Sequence, residues 1–371
     1  MAAPVSLAPL DGFTVGVTAD RRAEEQIELL QRRGATAVHA ATIRTIPLTN
    51  HREVRTATEA LIADPPAIVV LLTGLGTRGW LAAAESWDLD EALLACLTRA
   101  RILARGPKAA GAGLTVGLAA SWSAPSERST EVVQELAREA LDGVRIAVQR
   151  DGDERPFVAE ALAARGADVV DVPVYRWVLP DDLLPAQRLV EDVSGGRVDA
   201  VTFTSSPALA NFLRIADDLD RRAAAVAALS GPVVAACVGP VCAERAQAEG
   251  MTAVVVPRTA RLGAMVHALA RHFDGRAVHF RLAGCDVVVQ GALAVVGTER
   301  VVLTRREREV LTLLAARPGV PVPKDALLAH LYGPDGDPHA VEVTVARLRR
   351  RLGAAGEGLR TVPRRGYALV G

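Results

Sequence analysis

The sequence predicts an α/β protein: two similar open parallel α/β lobes followed by a small basic module of helices and a hairpin. Three observations carry that expectation. The front of the chain repeats itself, apolar strand-sized runs alternate with amphipathic helix-sized ones, and texture and charge change near residue 285. At 371 residues the chain exceeds one ordinary domain. Hydrophobic residues make up 50% and aromatic residues only 4%, so sizeable cores are available and fall mainly to Ala, Val and Leu.

The repeat is legible segment by segment. "GFTVGVTADRR" (12–22) returns as "GVRIAVQRDGDER" (143–155), and "LLQRRGATAV" (29–38) as "ALAARGADVV" (161–170). "AIVVLLTGLGTRGWL" (67–81) returns as "DAVTFTSSPALANFL" (199–213), and "GPKAAGA" (106–112) as "GPVCAER" (239–245). The landmark pairs Gly12/Gly143, Gly34/Gly166, Thr73/Thr204 and Gly106/Gly239 are separated by 131, 132, 131 and 133 residues. So steady an offset implies two related lobes, at a spacing far longer than solenoid periods.

Within each lobe, strand and helix alternate. "TVGVT" is a short β-rich run, and "AEEQIELLQRRG" is a helix stopped by Gly34. "TAVHAATIRTIPLT" is extended, and "AIVVLL" is a strand apolar enough to be buried on both faces of a parallel sheet. Open parallel sheets bind ligands beyond the carboxyl ends of their strands. The residues there are Thr18, Thr73-Gly74, Thr204-Ser205-Ser206 and Gly239-Pro240, small or hydroxylic and able to bring backbone N–H groups to an anion. Gly and Thr after a strand are also ordinary turn chemistry. Recurrence at the same place in both lobes favours a shared cleft.

Composition excludes other classes. The longest apolar runs are strand-sized, short of the roughly 20 residues a membrane helix needs. The N-terminus "MAAPVSLAPLDG" has no basic n-region or long apolar core, so no signal peptide and a soluble, cytoplasmic protein are expected. Cys96, Cys237, Cys242 and Cys285 lie in apolar segments without a C-x-x-C pair, which suits reduced buried thiols. The seven histidines form no HExxH, and no metal site or cofactor is expected.

The formal net charge of zero hides an asymmetry. Residues 300–371 hold 13 Lys/Arg against 7 Asp/Glu, leaving 30 basic and 36 acidic residues in the rest. A basic module behind an acidic body suggests a polyanionic partner. In that module "DVVVQGALAVVGTERVVLT" reads as short strands separated by Gly turns. "TRREREVLTLLAARPG" starts a helix with Thr304 and Glu307 as a capping box, and "KDALLAHLYG" makes a second helix before the loop "GPDGDP".

A third helix follows, "VEVTVARLRRRLG", in which Val341, Val345, Leu348 and Leu352 form one apolar stripe. Arg347 and Arg350 project from the opposite side beside Val343 and Ala346, while Thr344 and Arg351 flank the stripe and Arg349 lies toward the other flank. A solvated face would carry mixed charges, yet Glu342 is the sole acid in this helix. A basic ridge with small neighbours fits a major groove about 12 Å wide. "TVPRRGYAL" reads as a hairpin with Arg364 and Arg365 at its tip.

The motifs "DAVTFTSSPALANF", "CVGPVCAERAQAEG", "EALAARGADVVDVPVYRW" and "ARGPKAAGAGL" resemble those of uroporphyrinogen-III synthase over about residues 10–274. The resemblance implies lobe one at 10–46 plus 178–274 and lobe two at 47–177, joined by a two-stranded hinge. It also implies cofactor-free closure of the linear tetrapyrrole hydroxymethylbilane, a cyclising hydro-lyase reaction. Matching ligand positions are Thr18, Thr73, Ser126, Thr204, Ser205 and Gly239, with Arg105, Lys108 and Arg176 as carboxylate partners. Tyr175, in "VPVYRW", matches the tyrosine that assists the leaving hydroxyl. The chain departs from the family pattern at Gly74, usually serine, and at Cys242, usually threonine. The arginine after the first strand is displaced to Arg21 or Arg22.

Residues 285–371 resemble the winged-helix DNA-binding domain of OmpR/PhoB-type regulators, through "LTRREREVLTLL", "VEVTVARLRRRL" and "TVPRRGY". Pro363 replaces the usual arginine of the last motif and Arg364 its first glycine. The resemblance implies double-stranded DNA as partner, contacted by Thr344, Arg347, Arg350 and Arg351 from the helix and by Arg364 and Arg365 from the wing. Dimerisation on tandem half-sites is the family expectation. A phosphorylated receiver is not expected, because "VLLTGLG" carries no acid and Asp20 stands alone.

The fusion resembles an actinobacterial class of regulators linked to nitrate and nitrite assimilation. Two readings stay open. In one, the body senses a tetrapyrrole or other anionic effector, or docks a second transcription regulator. In the other, it is an active synthase with a DNA-binding appendage.

Overall fold

The computed structural model describes residues 7–153, 156–333 and 336–371. Met1–Ser6 of the N-terminal segment, Glu154-Arg155 at the end of a repeated motif and Pro334-Asp335 of the loop before the basic helix lie outside the described residues. The chain divides into two compact units, one comprising the chain up to Ala41 with Leu184–Gly371, the other Thr42–Leu183.

Lobe one begins with β1 (Thr14–Val17), α1 (Ala23–Gln31) and β2 (Thr36–His39). The chain then builds lobe two from β3 (Arg44–Pro47), α2 (Arg52–Ala63), β4 (Ile68–Leu71), α3 (Gly74–Glu85) and α4 (Asp90–Leu97). It continues through β5 (Arg101–Ala104), α5 (Pro107–Leu114), β6 (Trp122–Ser123) and α6 (Ser129–Leu136). Lobe two closes with β7 (Arg145–Gln149), α7 (Phe157–Ala163), β8 (Asp168–Val172) and β9 (Tyr175–Val178). Lobe one is completed by α8 (Leu184–Ser194), β10 (Ala200–Phe203), α9 (Ser206–Asp218) and α10 (Arg222–Leu229), then β11 (Val234–Cys237), α11 (Pro240–Ala248), β12 (Val254–Val255) and α12 (Leu262–Phe273).

Each lobe holds a five-stranded parallel sheet, ordered β12-β11-β10-β1-β2 in lobe one and β6-β5-β4-β7-β8 in lobe two. The orders are the same once repeat-related strands are matched. The glycine landmarks explain why the offset is so steady. Gly12 and Gly143 have φ of 79° and 69°, and Gly34 and Gly166 of 94° and 86°, a left-handed region that side chains resist. The central strands β4, β10 and β11 are fully buried, as a parallel sheet covered by helices on both faces requires. Where lobe two begins and ends, β3 and β9 pair antiparallel, with Pro47 opposite Tyr175.

The basic module opens with an antiparallel sheet of β13 (Val278–Leu282), β14 (Cys285–Gln290), β15 (Leu293–Val296) and β16 (Glu299–Val302). Then come α13 (Arg305–Ala315), α14 (Lys324–Tyr332), α15 (Pro338–Arg351), a 3-10 turn at Gly353–Gly358, and the hairpin β17 (Leu359–Val362) and β18 (Gly366–Leu369). Its core gathers Val310, Leu311 and Leu314 of α13 and Leu327 and Leu331 of α14 around Val341, Val345, Leu348 and Leu352. Each such side chain contributes roughly 1.5–3 kcal/mol by leaving water.

This module and lobe one share a compact unit, and the contact is close. Gln290 Nε2 donates to the carbonyls of Ala8 (2.8 Å) and Asp11 (3.0 Å), and the Ala292 N–H donates to the Gly12 carbonyl at 2.7 Å. A Cβ on Gly12 would stand 2.2 Å from the Gln290 carbonyl, and one on Gly291 2.4 Å from the Gly12 carbonyl. The Asp199 carboxylate accepts the Thr14 N–H of β1 at 2.8 Å and Arg308 of α13 at 3.0 Å.

Gly12→Ala and Gly143→Ala therefore separate backbone strain from docking. Strain alone costs about 1–2 kcal/mol at either site. A Cβ at Gly143 meets nothing within 4 Å, whereas at Gly12 it collides with the module. Calorimetry should show the larger fall in melting temperature for Gly12→Ala, with faster proteolysis between α12 and β13 in that variant only.

Candidate functional site

In lobe two the strand ends are already engaged. Thr73 caps α3, its Oγ1 accepting the Gly76 N–H at 3.0 Å, and its own N–H donates to Gln149 Oε1 at 3.2 Å. The Tyr175 hydroxyl donates to Thr73 Oγ1 at 3.1 Å. Tyr175 is buried, edge-on to Trp177, and burial pushes its phenol above the ordinary tyrosine range. It is thus a protonated donor at neutral pH, poised over the start of α3.

The departure at Gly74 has a steric reason. A Cβ there would stand 2.3 Å from the Lys108 carbonyl, because the first turns of α3 and α5 cross at this point. A serine would not fit without moving a helix.

The basic positions differ in availability. Arg105 is tied to Asp151 at 2.6 Å and reaches Ser129 Oγ at 3.3 Å, so its charge is largely neutralised. Lys108 and Arg176 are exposed and make no ion pair among the described residues. Ser126 is exposed, its N–H donating to Glu131 Oε2 at 3.0 Å.

In lobe one, Ser205 caps α9 by accepting the Ala208 N–H at 3.3 Å, with Thr204 half-buried just before it. Gly239 is the extended N-cap of α11 with Pro240 next, matching Gly106 and Pro107 at α5. These starts leave backbone N–H groups for an anion. Thr18 is different: it is fully buried and its Oγ1 donates to the Thr202 carbonyl at 2.7 Å, so the hydroxyl expected at the strand end is turned into the sheet. Cys242 is also buried, and Cys237 beside it together with burial pushes its thiol far up, leaving a neutral group.

The basic helix is sorted by its own rotation of about 100° per residue. Arg347 and Arg350 are exposed and have no ion-pair partner among the described residues. Arg349 turns to the hairpin, donating to the Leu359 carbonyl at 2.7 Å and Thr361 Oγ1 at 2.8 Å. Arg351, expected at DNA, turns back to the nearly inaccessible Glu307 of the α13 capping box (3.1 Å) and the Val302 carbonyl (2.9 Å). Thr344, also expected at DNA, is buried, its Oγ1 2.6 Å from Tyr332 Oη and donating to the Ala340 carbonyl. Both flank the apolar stripe, and the packing of α13 and α14 draws them inward. Glu342 is held by Lys324 at 2.6 Å.

At the hairpin tip the Arg365 N–H closes a turn on the Val362 carbonyl at 3.0 Å, with Pro363 second and Arg364 third at φ 60°. That is a type II arrangement, whose third position favours glycine. Arg364 and Arg365 are both exposed.

Two consequences can be measured. Arg351→Ala strands a buried carboxylate and should destabilise the protein by about 1–3 kcal/mol in urea denaturation. Arg347→Ala and Arg350→Ala should stay within about 0.5 kcal/mol of wild type. Arg364→Gly relieves a left-handed side chain and should stabilise by about 1 kcal/mol in the same assay.

Residues 297–369 match the family described as "Transcriptional regulatory protein, C terminal", and 24–267 match "Uroporphyrinogen-III synthase HemD". An uncharacterised Bacillus subtilis protein, YjjA, is 24% identical over 263 residues, 71% of this chain and 97% of that one. A putative uroporphyrinogen-III synthase of Methanothermobacter thermautotrophicus is 35% identical over 35% of this chain, and the Caulobacter vibrioides cell cycle transcriptional regulator CtrA is 37% identical over 29%. The chain spans about half the length of these last two, 50% and 48%. A mutant uroporphyrinogen III synthase from Thermus thermophilus superposes with a TM-score of 0.59 at 28% identity, covering 70% of this chain and 98% of that one. The α/β lobes and the winged-helix fold of the module agree with these matches, and the chain belongs to the uroporphyrinogen-III synthase family, with a C-terminal transcriptional-regulator domain.

Proposed function

We propose that the protein is a transcription regulator that grips duplex DNA with Arg347 and Arg350 from α15 and Arg364 and Arg365 from the hairpin. The observation that carries this reading is the division of charge along α15. Arg349, Arg351 and Glu342 are used inside the module, while Arg347 and Arg350 stand outward without partners among the described residues. Such guanidinium groups suit phosphate oxygens and base edges in a major groove. In this reading the protein acts in the cytoplasm, where its DNA partner would be met.

The synthase-family body is the input domain in this reading. Its candidate ligands are a tetrapyrrole or another polycarboxylate anion; the candidate contacts are, within lobe one, the starts of α9 and α11 and the Ser205 cap, and, within lobe two, the Thr73 cap, Lys108 and Arg176. A second transcription regulator docking on the body, and a homodimer on tandem half-sites, belong to the same proposal. The genes controlled are those of nitrate and nitrite assimilation.

Retained synthase activity is the second reading, favoured by the Tyr175 phenol held over Thr73. A coupled assay with hydroxymethylbilane decides between them. Enzymatic uroporphyrinogen III, lost in Tyr175→Phe, supports a synthase, whereas absence of turnover with tetrapyrrole binding in calorimetry supports a sensor. For DNA, the double variant Arg347→Ala/Arg350→Ala should lose most affinity and show a salt slope shallower by roughly 2. Unchanged affinity in gel shift would overturn the assignment of α15.

A further inference from the structure

The outward face of α15 has two flanks. On one lies the hairpin, braced to the helix by Arg349. On the other, α15, α13 and lobe one enclose an open concavity of about 1160 Å³. Its walls carry Arg305, Arg306, Arg347 and Arg350 from the module, and Arg197 from the turn that follows α8 in lobe one.

The acids in this concavity are occupied. Glu307 is held by Arg351 and the Thr304 N–H, Glu309 by Arg305 at 2.7 Å, and Asp337 caps the His339 N–H at 2.8 Å. Arg306 lies over the Tyr332 ring, 4.2 Å from its centroid, with its N–H groups left for another partner. The surplus is positive and lines a channel that opens onto the face bearing Arg347 and Arg350.

Arg197 is not a free-floating surface charge. Its backbone N–H donates to the Asp192 carbonyl at 2.7 Å and its Nε pairs with Asp192 Oδ1 at 2.5 Å; unlike the largely buried Arg105–Asp151 pair, this one is solvent-accessible, with the Arg197 side chain 54% exposed and its terminal nitrogens without a hydrogen bond among the described residues. The turn is pinned to α13, because Arg305 donates to the Gly195 carbonyl. Next to it Gly196 has φ 62°, and a Cβ there would stand 2.6 Å from the Arg305 guanidinium. Lobe one is held further by Arg308 on Asp199 and Gln290 on Ala8 and Asp11. Arg197 is therefore set at a fixed position beside the helix.

A helix seated in a major groove has a phosphate strand on either side. From this geometry we infer that lobe one is part of the DNA-gripping surface: one phosphate strand meets the hairpin, and the other runs through the basic channel and is held by Arg197 with Arg306. The inference rests on the DNA reading of α15 and extends it to the synthase-family body.

Phosphate contacts are independent of sequence, so the test needs no operator. A fluorescein-labelled duplex of about 30 base pairs with random sequence is titrated with the full chain at several KCl concentrations, by anisotropy. Wild type is compared with Arg197→Gln, Arg197→Glu and Arg347→Ala/Arg350→Ala. Circular dichroism melts confirm that each is folded.

Loss of one phosphate contact should make the salt slope shallower by about 0.9 in Arg197→Gln, and Arg197→Glu should weaken binding by roughly tenfold at low salt. If the α15 double variant loses binding while both Arg197 variants keep wild-type affinity and slope, lobe one does not touch DNA and the inference falls. Tighter binding by Arg197→Glu also overturns it, since the lobe would then obstruct the groove. If wild type binds no duplex at all, the DNA reading itself fails.

Discussion

The Asp199 carboxylate joins lobe one to the DNA-binding module. One oxygen accepts the Thr14 N–H at the start of β1, the other Arg308 in the first helix of the DNA-binding module. Around it, Gly12 and Gly291 let two backbones approach to distances that any side chain would prevent, and Gln290 bonds across the seam. The module is consequently an extension of lobe one and not a bead on a linker. Through these contacts, α13 and α15 share a frame with the strand ends of lobe one.

That frame gives meaning to the division of labour among the arginines. A run of four within five positions reads as one basic patch, yet helical rotation sends them to three destinations. Arg349 braces the hairpin, Arg351 neutralises the buried Glu307, and Arg347 with Arg350 faces outward. A guanidinium stacked or bonded inside the module fixes geometry, and one left outside supplies attraction. The first kind holds the second in place.

Much of this was legible in the sequence because its signals are local. Gly12, Gly34, Gly143 and Gly166 recur since each sits at a left-handed turn before a strand, Gly106 and Gly239 recur as extended caps at the start of a helix, and the steady offset reflects two sheets with matching strand order. The stripe of Val341, Val345, Leu348 and Leu352 and the Thr304–Glu307 capping box both lie where their spacing placed them. Long-range partnerships were not legible. Arg105 finds Asp151 46 residues away, Thr18 turns to Thr202, and the docking of Gln290 on Ala8 and Asp11 spans most of the chain. The strand Val278–Leu282 falls between the two predicted domains, 10–274 and 285–371, although "VHFRL" alternates apolar and polar residues as a half-buried strand does.

Family membership and the DNA reading meet in one physical claim, that a mostly acidic body carries a compact set of outward arginines aimed at a polyanion. The slope of log binding constant against log salt for the unmodified chain on duplex DNA tests it most directly. With Arg347, Arg350, Arg364, Arg365, Arg306 and Arg197 each meeting a phosphate or a base edge, a linear slope of roughly −3 to −5 is predicted. A slope near zero, or no binding at low salt, would contradict it.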